Sequence, residues 1–173
     1  MFISPHERLS LLIDGPYVLS ACRRLPIDID FKRLLEFFRA QGRLTRAHFY
    51  AAAGNDGDLR TLRPLLDWLT YNGYATTAKC GSQRPASVEL DLAVDAMRLS
   101  AAVDHFVIFA GEGDLVKVVH ALKDLGKRVT LVGALRPEVA IADELRRAAD
   151  EFVDLAHLKD EIGKQTSSRE TGN

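Results

Sequence analysis

The stretch His105-Phe-Val-Ile-Phe-Ala-Gly-Glu-Gly-Asp114 decides the reading of this chain. Its apolar run stops at two glycines and two carboxylates, and the residues that follow, Leu115, Val118, Val119 and Leu122, have helical spacing. A short buried run bounded by glycine and followed by a helix reads as the central strand of a βαβ unit. Glu112 and Asp114 then occupy the turn at the carboxyl end of that strand. In open α/β sheets ligands collect at this edge, because the strand ends converge on a crevice that helices leave uncovered. The first apolar run, Leu11-Leu-Ile-Asp14-Gly15, ends in the same way. Two strands that each deliver acid to one edge make a cluster of negative charge the first expectation.

Working outward, apolar runs predict strands over 9–13, 45–53, 74–80, 106–109, 128–132 and 152–155. Between them, the pattern predicts a short helix or turn over 17–24 and helices over 31–41, 59–72, 88–101, 115–125 and 143–149. Asp30 and Ser87 are the expected N-caps, Gly42 a stop, and Gly54-Asn-Asp-Gly57 a turn. Pro64 falls near the first turn of its predicted helix, where its missing N–H is tolerated. Strands alternating with helices predict a three-layer α/β/α fold around a mainly parallel sheet. If the first and fourth strands are neighbours, Asp14 and Glu112 flank a topological switch point. The domain is expected over 1–160, with 161–173 a polar C-terminal tail expected to be disordered.

The 173 residues carry a formal net charge of -1, which excludes any global electrostatic pull toward nucleic acid. Binding of that kind has to come from a local patch. Cys22 and Cys80 have no neighbour at zinc spacing and read as two reduced thiols. No apolar segment approaches the ~20 residues needed to cross a bilayer, and no basic and apolar leader opens the chain, so a cytoplasmic protein is expected.

The predicted helix from Val88 contains an anomaly. Val88, Leu92 and Leu99 lie on one stripe, and the remaining place on it is taken by Asp95. Asp91 stands one turn earlier, and Glu89 at the helix start. A carboxylate at a core position has to be paired, hydrogen-bonded or compensated by a metal. A salt bridge or a cap would serve as well as an ion for Asp95 alone. Asp14, Glu112 and Asp114 favour the ion, since several carboxylates from different strand ends repel one another without one. Oxygen ligands suit Mg²⁺ or Mn²⁺, and the absence of a nearby His disfavours zinc. Such a site polarises a phosphodiester and activates water. Gly111-Glu-Gly113 is not a phosphate loop, because acids stand where Lys and backbone donors are needed. Asp56 and Asp58 read as solvated turn residues, and no Gly-x-Ser-x-Gly is present.

With these residues in hand, the chain resembles the NYN-domain proteins of the LabA-like group, relatives of the PIN-domain nucleases. The matching segments are Leu12-Ile-Asp-Gly15, Ile29-Asp-Phe-Lys-Arg-Leu-Leu35, Leu92-Ala-Val-Asp-Ala-Met97, His105 through Gly111 with Asp114, and Ile141 through Leu155. The resemblance implies a PIN-like topology and metal-dependent RNA cleavage by clustered acids. Asp14, Asp95, Glu112 and Asp114 match the acidic positions and are the expected catalytic and metal-binding residues. Glu89 matches a further frequent Asp and, with Asp91, is a secondary candidate. The chain departs from the family pattern at Tyr17, which stands where Asn is usual, at Glu112, which stands for Asp, and at Pro85-Ala86, which replaces a Lys-Gly pair.

The function expected is therefore a Mg²⁺- or Mn²⁺-dependent ribonuclease acting on single-stranded RNA. Lys79, Arg84 and Lys117, in or beside segments on the same edge, are candidates for phosphate contact. The alternative is a catalytically impaired RNA-binding or regulatory module on the same fold. A doubly wound signalling domain ranks last, since no Lys and Thr partner a phosphorylatable Asp. A homodimer is compatible with all three, and no membrane association is expected.

Overall fold

The computed structural model describes residues 3–81 and 87–164. Six strands, β1 Arg8–Asp14, β2 Arg43–Ala53, β3 Ala75–Cys80, β4 His105–Phe109, β5 Arg128–Gly133 and β6 Glu151–Asp154, form one sheet in the order β3-β2-β1-β4-β5-β6. Every neighbouring pair in that sheet is parallel. Seven helices cover it: α1 Gly15–Arg24, α2 Phe31–Gln41, α3 Asp56–Tyr71, α4 Glu89–Leu99, α5 Val116–Asp124, α6 Asp143–Ala148 and α7 Lys159–Ile162. The three-layer α/β/α expectation holds. The chain builds β2 and β3 on one side of β1, then returns to lay β4 on the other, with Leu9 opposite His105 and Ile13 opposite Phe109. The switch point lies between the strands that end in Asp14 and lead to Glu112.

Strands β1 and β4 read as continuous apolar runs because both of their faces are buried. Alternation then divides the core. Leu9, Leu11, Ile13, Phe49, Val107 and Phe109 pack with α1, α2, α3 and α7 on one face. Leu12, Tyr50, Phe106, Ile108 and Leu131 pack with α4, α5 and α6 on the other. Asp14 has the parity of Leu12, so it points to the face that α4 covers.

Local chemistry sets most of the boundaries. The Asp30 carboxylate accepts from the N–H groups of Lys32 and Arg33, as its expected capping role requires. The Gly54–Gly57 turn is shorter than expected, because Asn55 caps α3 by accepting from the Asp58 N–H. Helix α3 therefore begins at Asp56, and Pro64 lies well inside it rather than near its first turn. Pro64 is on the exposed side, where water can take the place of the missing N–H. Ser87 does not cap α4. Its hydroxyl donates to the Glu89 carboxylate, and the helix starts without a side-chain cap.

Residues just past the expected boundary at 160 are also held to the sheet-and-helix body. Ile162 is fully buried, its carbonyl accepts from the Asp30 N–H at 2.8 Å, and the Lys164 N–H donates to the Asp28 carbonyl at 2.7 Å. One buried isoleucine holds residues 161–164 to the domain against a polar composition. The rest of the expected tail, 165–173, and the segment Arg84, Pro85 and Ala86 lie outside the described residues.

Candidate active site: an acidic crevice at the switch point

Asp14 ends β1 and caps α1 at once. Its Oδ1 accepts from the Tyr17 N–H at 3.0 Å, while Pro16 supplies a preset φ in the first turn. The residue is 2% exposed. Its carboxyl is pushed up to about 6, first by burial, with the Tyr17 N–H acting in the opposite sense and the charges of Glu89 and Glu112 adding to the rise. Among the described residues no Lys or Arg forms an ion pair with it.

Glu89 comes from the first turn of α4 and Glu112 from the turn after β4. With Asp14, Tyr17, Ser20, Gly111 and the Pro137–Ala140 segment, they line a cavity of about 380 Å³. Its titratable walls are Asp14, Glu89, Glu112 and Glu138 against the single phenol of Tyr17.

Tyr17 shapes this crevice. Its ring lies against Gly111, so a Cβ at that position would collide with it. Its hydroxyl accepts from the Ala134 N–H at 2.8 Å and donates to the Val139 carbonyl at 3.2 Å. One side chain thus ties the end of β1 to the loop after β5. Burial raises its pKa, and the charges of Asp14, Asp154 and Glu112 add to that.

The expected residues divide into two groups. Asp14 and Glu112 are brought together, and Glu89, a secondary candidate from sequence, stands with them. Asp95 is directed elsewhere: it accepts from the Tyr50 hydroxyl at 3.1 Å and pairs with Arg98 at 3.6 Å. Its charge acts on Tyr50 and His48. Asp91 pairs with Lys79 at 2.5 Å, so the lysine expected to meet phosphate is held by an acid. Asp114 is exposed in the short 3-10 turn Gly113–Leu115, where Glu144 of α6 leans on Gly113. Lys117 is exposed on α5 and has no ion pair among the described residues.

The residues fit a hard divalent cation by donor chemistry. A desolvated carboxylate with two more beside it, and no Lys or Arg paired with it among the described residues, is the environment such an ion relieves. As placed, no three Asp, Glu, His or Cys side chains among the described residues converge on one point. Closing around an ion requires the longer Glu89 and Glu112 side chains to rotate toward Asp14. Glu89, a secondary candidate from the sequence, lines the crevice, as do Tyr17, Ser20 and Glu138, which were not among the expected site residues. The available signal for Glu89 was its place in the first turn of a helix that packs on the sheet, which puts it at the same edge as the strand ends.

A model of the NYN domain matches residues 8–156. The chain belongs to the NYN-domain family. It is 26% identical over 171 residues to the "Low amplitude and bright protein LabA" of Synechococcus elongatus, a match that covers 91% of this chain and 89% of that one. The crystal structure of VPA0982, a protein of unknown function from Vibrio parahaemolyticus, superposes with a TM-score of 0.72 at 23% identity, covering 95% of this chain and all of that one. The second likeness concerns the fold, which the NYN domain shares with PIN-like proteins.

Proposed function

We propose that this NYN-domain protein is a divalent-metal-dependent ribonuclease that cleaves phosphodiester bonds of single-stranded RNA. The observation that supports this most is Asp14, a buried carboxyl raised to about 6, facing Glu89 and Glu112 in an acidic crevice at the switch point. Asp14, Glu89 and Glu112 would hold the ion, with Mg²⁺ and Mn²⁺ the ions that suit this donor set. The ion supplies Lewis-acid polarisation of the phosphodiester and activation of water for in-line attack. Asp14 would hold the ion as the carboxylate, with its Oδ1 oriented by the Tyr17 N–H. Asp95 acts as a positioning residue through the Tyr50 hydroxyl, and Asp114 is a candidate for contact through water. Lys117, the exposed Arg136 and Arg84 are candidates for the RNA backbone, while Lys79 would have to leave Asp91 to join them.

The test is cleavage of single-stranded RNA in Mn²⁺ by the wild-type protein and by Asp14→Asn. Loss of cleavage in the variant, with its folding intact, is expected; cleavage that survives the substitution or chelation of the ion would sink the reading. A second reading, an RNA-binding module without turnover, draws on the absence of any Lys or Arg among the described residues lining the crevice. Retained RNA binding with no cleavage in any divalent ion would select it.

A further inference from the structure

We propose that the chain forms a two-fold symmetric homodimer through the outer face of α4. The inward face of this helix is closed in the core by Leu92 and Ala96, both fully buried. Its outward face is apolar as well: Leu90 is 68% exposed, Val94 48% and Met97 42%. Spacings of four and three residues put the three side chains on one stripe. The helix is thus hydrophobic on two sides, and among the described residues the outer one is left exposed. Leu125 and Leu135 are also exposed but stand singly, which is ordinary for a protein surface.

The pattern of the stripe indicates a second copy as its occupant. It is nearly symmetric about Val94, so an antiparallel copy sets Val94 against Val94 and Leu90 against Met97. The charges follow the same symmetry. The acids of the first turn are Glu89 and Asp91, and the base of the last turn is Arg98. Asp91 and Arg98, seven residues apart, lie on the same flank of the stripe. A two-fold axis through Val94 therefore brings each Arg98, 77% exposed and 3.6 Å from its own Asp95, beside Asp91 of the other copy, a carboxylate that also meets Lys79 of its own chain. A parallel pairing would set like against like at both ends. An isologous interface is self-complementary in this sense. The opposed helix dipoles favour the same arrangement. Acids along the flank make an anionic lipid surface a poor occupant.

Sedimentation velocity on the full chain tests the proposal, independently of any catalytic activity. The wild-type protein is expected to be a dimer at micromolar concentration. Val94→Glu, at an exposed position where folding is not at stake, sets two like charges on the axis and should weaken association on the order of 30-fold or more, the size of a central hot-spot loss. In a Cys80→Ser background, Val94→Cys should form an intermolecular disulfide under mild oxidation, and Leu125→Cys should not. A wild-type monomer, whether its α4 face stays bare or is taken by another protein, overturns the proposal. So does a dimer that Val94→Glu leaves intact or that Val94→Cys fails to cross-link.

Discussion

Asp14 serves two purposes that oppose each other in energy. As an N-cap it must accept from the Tyr17 N–H, and as the deepest acid of the crevice it must be charged where burial and two glutamates disfavour charge. Its folded-state pKa of about 6 lies above the ordinary value of 3.8. Between those two pH values the native state keeps the proton and the unfolded chain has lost it. Stability should therefore fall as pH rises across that window, by up to about 3 kcal/mol, and stay at the lower level above it. Asn at this position keeps the capping oxygen and removes the charge. Asp14→Asn should raise the melting temperature at pH 7.5 without metal by several degrees and flatten the slope between pH 4 and 6; calorimetry across pH checks both, and a wild-type profile that is flat there contradicts the account. Tyr17→Phe should cost about 1–3 kcal/mol in urea unfolding, because it strands the Ala134 N–H under a ring that stays in place.

At the scale of elements, α4 determines which of the expected acids reach the crevice. The helix starts at the carboxyl edge of the sheet and runs antiparallel to the strands, so depth in the layer follows residue number. Glu89 in the first turn meets the crevice, whereas Asp91 and Asp95 face Lys79 and Tyr50 farther along. The stripe argument identified Asp95 as an acid at a core-like position, and it is indeed half-buried and hydrogen-bonded. Periodicity gives the face of a helix but not what opposes it. Leu92, fully buried beneath the site, anchors this placement. Leu92→Ala should destabilise by about 2–5 kcal/mol in equilibrium unfolding and weaken the site with it. A cost under 1 kcal/mol would mean that α4 is held by other contacts.

For the whole molecule, stability and ligand binding meet at one edge of the sheet. An ion that relieves the repulsion around Asp14 favours the native state, so the melting temperature should rise with Mn²⁺ concentration at pH 7.5. The rise should shrink at pH 5, where a proton holds the same carboxyl. Asp14→Asn should abolish it, Glu89→Gln should diminish it, and Asp95→Asn should leave most of it. A melting series in which Asp95→Asn is the damaging change would return Asp95 to the ion.

Alternation of apolar runs with helical periods, which reports one-dimensional burial, was enough to determine the layers, the parallel sheet and the edge to which the acids come. It also put Asp14 at the carboxyl end of β1 and Glu112 in the turn after β4, on one edge of the sheet. Only the folded chain decided that Glu89 lines the crevice with Asp14 and Glu112 while Asp95 meets Tyr50, that Asp91 takes Lys79, that Ile162 is buried and that Tyr17 spans three strand ends. Each of these depends on which segment lies opposite which in space, and a pattern along the chain fixes the direction of a side chain without fixing its neighbour.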